Sequence, residues 1–309
     1  MTKKWHATFV ALMVFFSFHD FAYAKEKLKI VSSFSILGDM IQAVCQDHAD
    51  VVCLVGIDAD AHVYEPKPSD AKLILQADAI FINGMEFEGW MKRLFEATKT
   101  SAPIFKATDG LKPLSSSRIE MIPDPHAWNS PLNGVHYIEN IVASLSQIDP
   151  EHKDLFEKNG KAMIDELQNL HKWAEKEFGS IPQNKRKVIT SHDAFNYMAR
   201  DYNIKFYSAT GVDTKSEPSA KTIAQIVDTI RAENISAVFV ENITNPALME
   251  QIAEETKVKI GGILYSDALS SSNGPAPNYL QLLKHNFMEL LKTMRESMEQ
   301  AKTAQKVSA

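Results

Sequence analysis

From Lys27 onward, short β-branched runs alternate with longer stretches whose apolar residues recur at helical spacing. The runs at residues 28–31, 51–55, 79–82 and 103–106 read as strands, with helices at 36–44 and 69–75 between them. Ser69 and Asp70 bring N-terminal capping chemistry to the second of these helices. After residue 180 the rhythm returns, with strands at 187–190, 205–207, 237–240 and 259–264. Their helices fall at 194–202, 219–231, 246–256 and 278–294. Two such blocks predict an α/β chain of two lobes, each with a mainly parallel sheet flanked by helices.

A longer helical pattern separates the blocks. Asp149 is placed to cap it, Pro150 suits its first position, and Glu151 complements its dipole. Apolar residues then recur at Phe156, Met163, Leu167, Leu170, Ala174 and Phe178, and Gly179 and Pro182 supply the stop. The expected organisation is an N-terminal lobe at 25–148, one long rigid helix at 149–179 and a C-terminal lobe at 180–309. Gly160 inside that helix costs about 1 kcal/mol against Ala.

The first 24 residues read as a cleaved export signal rather than part of the fold. Lys3 and Lys4 precede an apolar stretch from Ala7 to Phe18, and Ala22-Tyr23-Ala24 fits a small-x-small cleavage site. The apolar stretch is too short for a bilayer, which needs ~20 residues. No Cys lies near the cut, which argues against a lipid anchor, so the expected location is the periplasm. Cys45 and Cys53 would then sit where disulfides persist, and either a bridge or two small buried thiols fits their spacing. No CxxC occurs, which disfavours a thiolate metal site. The chain carries 33 basic and 39 acidic residues without basic clusters, so nucleic acid is not the expected partner.

Of ten histidines, His6 and His19 lie in the export signal, and His48, His136, His152, His171 and His285 lie in polar helical or turn contexts that carry no message. Three differ. His62 follows the 51–55 strand, His126 lies in the Pro-rich stretch 123–131, and His192 directly follows the 187–190 strand. Asp267 follows the 259–264 strand in the same way. Ligands of open α/β sheets gather outside the carboxyl ends of strands. Two of these residues belong to each lobe, so a site using all four lies in the cleft. Neutral imidazoles and a carboxylate suit a first-row divalent ion.

The stretches His62-x-Tyr64-Glu65-Pro66-x-Pro68-Ser69-Asp70, Asn83-Gly84 with Trp90, and Asp124-Pro125-His126-x-Trp128-x-x-Pro131 resemble the zinc/manganese group of periplasmic metal-binding proteins. Glu217-Pro218-Ser219, Asn245-Pro246 and Leu264-Tyr265-Ser266-Asp267 continue the resemblance through essentially the whole mature chain. That group comprises the solute receptors of high-affinity ABC importers (cluster A-I, family 9), with two α/β lobes bridged by one long helix. The resemblance implies metal ligands at His62, His126, His192 and Asp267, Zn2+ or Mn2+ as cargo, and a membrane permease as partner. A monomeric receptor and not an enzyme is the expectation, and a connecting helix this stiff implies small lobe movements.

Three departures matter. Ala61 stands where relatives commonly have Pro, the acidic His-rich loop of many zinc members is missing, and His192 occupies a position that is Glu in many manganese members. The last two cues oppose each other. Three imidazoles and a carboxylate suit tetrahedral zinc, whereas a bidentate Asp267 would give five donors and suit manganese. For orienting the ligands from behind, Glu65, Asp193 and Glu241 are the acids to consider, with Tyr64 and Trp128 as shielding neighbours. The competing readings are a receptor for a metal chelate or other small ligand, and a zinc hydrolase. The hydrolase is disfavoured because there is no HExxH and four protein donors would close the site. No GxxxxGK[ST] loop occurs, so transport energy is expected from a separate ATPase.

Overall fold

The β-branched runs pair in parallel, as their alternation with helices requires. The structure, a computed structural model, describes residues 27–116, 119–235 and 237–307, and the expected export signal at 1–24 lies outside the described residues. Strands β1 (Leu28–Phe34), β2 (Ala49–Val55), β3 (Ala79–Ile82) and β4 (Ile104–Lys106) form one sheet in the order β2-β1-β3-β4, every pair parallel. Helices α1 (Ser35–Cys45), α2 (Pro68–Gln76) and α3 (Met91–Thr98) make the crossovers. In α1 the residues Ile36, Leu37, Met40, Ile41 and Val44 are all buried, the stripe that one helical face requires.

The second sheet repeats the plan. β7 (Lys187–Thr190), β8 (Lys205–Ser208), β9 (Ala237–Glu241) and β10 (Lys259–Leu264) lie in the order β10-β9-β7-β8, again all parallel. Its helices are α6 (Asn196–Tyr202), α7 (Ala220–Glu233), α8 (Ala247–Thr256) and α9 (Tyr279–Val307), the last running well past the expected end at residue 294. In each sheet the chain reverses direction beside the first strand laid down. The crevices outside the strand ends, at β1/β3 and at β7/β9, are therefore the natural places for a ligand.

Between the sheets come a short antiparallel pair, β5 (Ser115–Ser116) with β6 (Ile119–Pro123), then α4 (Pro131–Ile148) and α5 (Lys153–Gly179). The expected capping by Asp149 is not what forms. Asp149 still ends α4, donating its N–H to Leu145 O, and a 3-10 turn at Pro150–His152 intervenes before α5 begins. Its carboxylate instead lies 2.7 Å from His152 Nδ1. At 27 residues α5 is about 40 Å long. It buries Phe156, Met163, Leu167, Ala174 and Phe178 and contacts α1 and α4 on one side and α6 and α9 on the other. Gly160 earns its place here, because a Cβ would sit 2.3 Å from Val142 Cγ2 of α4.

A large apolar core runs from Ile30 through Phe156 and Leu167 to Phe287 and Met294 and includes residues of both sheets, and a second cluster around Ile189, Ile226, Val238 and Ile252 serves the second sheet. Cys45 and Cys53 are free thiols, and burial pushes each up to about 11. Among the described residues no helix is long and apolar enough to cross a membrane.

Candidate metal centre

Four segments that are remote in sequence deliver the site. His62 rides on the loop after β2, which is stapled to the other lobe: Asp58 N–H donates to Leu269 O at 2.9 Å, and Asn242 Nδ2 donates to Asp58 Oδ1 at 3.1 Å. His126 follows β6 and opens a short 3-10 turn at Ala127–Asn129. His192 stands two residues beyond β7, and Asp267 three beyond β10.

The structure brings all four expected residues together. Their ligating atoms lie within 4.8 Å of one another, and all four residues are buried. His62 Nε2 is 3.1 Å from His126 Nε2, which is 3.3 Å from His192 Nε2. Asp267 Oδ2 is 3.2 Å from His62 Nε2 and 3.3 Å from His192 Nε2, and Oδ1 is 3.8 Å from His126 Nε2. Both Asp267 oxygens are nevertheless buried without an aligned hydrogen bond. A buried carboxylate left so exposed to its neighbours' nitrogens is costly unless a cation satisfies it.

Two further carboxylates stand behind the imidazoles. Asp124 Oδ1 accepts from His126 Nδ1 at 2.7 Å and from its backbone N–H at 3.0 Å. This places the ring proton on Nδ1 and leaves Nε2 a lone pair aimed at the centre. Glu241 takes the corresponding place behind His192: Oε1 accepts the backbone N–H at 2.9 Å, and Oε2 lies 2.6 Å from Nδ1 as a charge contact without an aligned hydrogen bond. Of the three acids considered for this role, Glu241 is the one seen behind a ligand ring. Glu65 is exposed, and Asp193 anchors Gly211 through its backbone N–H. Asp124 was in view as part of the His126 motif, but its role was not read from it. In sequence an acid two residues before a His marks only a turn former; the contact with the ring is seen in the structure.

Charge and burial pull these groups apart. Burial drives the His192 imidazole down, but Glu241 and Asp267 outweigh it and hold the ring well above the ordinary histidine range. At His62 burial wins over attraction to Asp267, and the ring is lowered. Asp267 would be raised by burial, yet His192 and His126 hold it well below the usual carboxylate range. Asp124 is likewise lowered, burial being outweighed by His126.

Aromatic rings flank the donors. Phe87 packs edge-on to His62 at 4.8 Å, and Trp128 to His126 at 5.3 Å, with both aromatics in mutual contact. Trp128 Nε1 donates to Ser266 O at 2.7 Å, tying the His126 turn to the Asp267 loop across the lobes. Tyr64, expected as a shield, packs against Trp90 instead and donates to Asp70 Oδ2. Trp90 Nε1 in turn donates to Ala61 O at 2.9 Å, so this loop is fixed without the missing proline. The remaining described histidines engage elsewhere: His136 with Asp109 O, His171 with Tyr202, His285 with Ile263 O, and His48 with His152.

Residues 30–293 match the family model for the periplasmic zinc-uptake complex component A, ZnuA. The chain is 33% identical over 260 residues to the iron-binding protein YfeA of Yersinia pestis, covering 84% of this chain and 83% of that one. It is 31% identical over 261 residues to the manganese-binding lipoprotein MntA of Halalkalibacterium halodurans, covering 84% and 86%. The solved Mn-bound periplasmic metal-binding protein of Candidatus Liberibacter asiaticus superposes with a TM-score of 0.79 at 31% identity, covering 87% of this chain and 100% of that one. The chain therefore belongs to the ZnuA family of metal-binding receptors of ABC importers, a family of substrate-binding proteins and not of enzymes.

Proposed function

We propose that His62, His126, His192 and Asp267 capture one divalent first-row metal ion in the interlobe cleft, and that the loaded protein delivers it to an ABC permease in the inner membrane. The observation that carries this reading is the convergence of three imidazole nitrogens on a buried carboxylate with unsatisfied oxygens. The receptor works as a monomer in the periplasm after cleavage behind Ala24, with lobes at 25–148 and 180–309 held by the 149–179 segment.

Zinc is the ion this donor set binds most tightly in vitro. A tetrahedron with ~2.0–2.1 Å bonds has six edges of about 3.3 Å; four donor separations, at 3.1–3.3 Å, are close to this, while His126 Nε2 to Asp267 Oδ1 at 3.8 Å and the full spread of 4.8 Å are wider. Zinc also outcompetes manganese at most nitrogen and oxygen sites. Manganese is the second reading for the cargo carried in the cell. It is favoured by the two free oxygens of Asp267, which allow a fifth donor, and by the Mn-bound relative.

Titration of metal-free protein with zinc and with manganese, for wild type and His192→Ala, tests both site and preference. One tightly bound ion per wild-type chain is expected, with a loss in the variant beyond the ~10–100-fold typical of an outer partner. Unchanged binding in the variant would remove His192 from the ligand set.

A further inference from the structure

Residues 209–219, between β8 and α7, leave the second lobe without regular secondary structure and reach toward the His62 loop. The base of this segment is tightly held. Ala209 N–H donates to Thr190 O at 3.2 Å, Thr210 N–H to Ser191 O at 3.0 Å, and Asp193 N–H to Gly211 O at 3.0 Å. Farther out, the Thr214 hydroxyl crosses to the first lobe and donates to Asp60 Oδ2 at 2.5 Å. The other oxygen of that carboxylate, Oδ1, accepts the backbone N–H of His62 at 2.8 Å. A single half-buried acid thus holds both the segment and the ligand loop.

The segment also divides space. On one side lies a cavity of about 420 Å³ bordered by Asp60 and Thr214, and on the other a cavity of about 390 Å³ that reaches His62 and Phe87. Thr210, Ser216, Glu217 and Pro218 line both, so the segment is their common wall. His62 is the ligand nearest this opening, 7% exposed where His126, His192 and Asp267 are 0%.

We propose that Asp60 and Thr214 are positioning residues that set the rate of metal release, holding the 209–219 segment across the cleft and the His62 loop at the site with one shared carboxylate. This rests on the metal-capture reading above. Losing the hydroxyl frees the segment and removes one of the two constraints on Asp60. The four donors stay in place, so the effect falls on how fast the ion leaves and not on the coordination itself.

The test is stopped-flow transfer of zinc from the loaded protein to excess chelator, for wild type, Thr214→Val and Thr214→Ser. Thr214→Val keeps the shape and loses the donor. It is expected to speed release about tenfold, the worth of one hydrogen bond to a charged group. Metal-free melting temperature should stay unchanged, and Thr214→Ser should restore wild-type release. Release from Thr214→Val at the wild-type rate would overturn the proposal while leaving metal capture standing. Faster release with a lowered metal-free melting temperature and no recovery in Thr214→Ser would also overturn it, as an effect on folding. A wild-type protein that takes up no zinc would sink the capture reading and this one with it.

Discussion

His126 and His192 present their Nε2 atoms from rings whose far nitrogen lies against a buried carboxylate, Asp124 or Glu241. His62 has a different foundation: its backbone N–H is held by Asp60, and its ring leans on Phe87. The first two grow directly out of the ends of β6 and β7, whereas His62 sits seven residues beyond the end of β2. The contrast teaches how one cleft can serve both capture and release. On the proposed reading, two carboxylate-backed imidazoles and Asp267 form a preorganised floor, and His62, whose loop is tied through its backbone but whose ring has no carboxylate behind it, completes the donor set.

The largest expected effect tests the floor. Asp267→Ala or His126→Ala should weaken zinc binding by well over the ~100-fold upper end of outer-partner losses, measured by chelator competition. His62→Ala should cost less than His126→Ala in the same assay, and an equal or larger loss would erase the distinction between the floor and His62. Next come Asp124→Asn and Glu241→Gln, each expected to lower affinity ~10–100-fold by loosening tautomer and orientation. A neutral result at either position would mean that the rings are held by packing alone.

The smallest effect on the metal centre should come from Asp39→Asn, which separates scaffold from site. Asp39 Oδ2 accepts the N–H of Tyr279 at the start of α9, and burial raises its carboxyl to about 6. A folded-state value above the unfolded one means the native state favours the protonated acid. Its stabilising contribution is therefore present below pH 3.8 and lost as pH rises toward 6. Chemical denaturation should show Asp39→Asn gaining on wild type across that window, by roughly 3 kcal/mol at most, with zinc affinity unchanged.

The architecture was readable because period and composition carry it. Runs such as Val51–Leu54 and Ala237–Val240 admit few other roles in a chain of this rhythm. The antiparallel pairing of β5 with β6 was not readable, since Ser115–Ser116 has neither alternation nor bulk. Sheet order was also out of reach, because strand pairing depends on contacts between segments remote in sequence and not on local pattern. At the site, the four converging residues were marked by their places after strands and by the family resemblance. Glu241 was partly legible as an acid ending the buried run of β9. Asp124 was not, because an acid before a Pro-His pair reads equally as a turn former. Asp149 misled for a related reason: the same residue type that caps a helix also ends one.

Anomalous X-ray scattering from crystals of the zinc-loaded protein, collected on both sides of the zinc edge, tests the central assignment most directly. The expected map holds one strong peak in the cleft, ~2.0–2.2 Å from the Nε2 atoms of His62, His126 and His192 and from Asp267. A peak bound elsewhere, or one that leaves any of these four side chains outside coordinating distance, would contradict it.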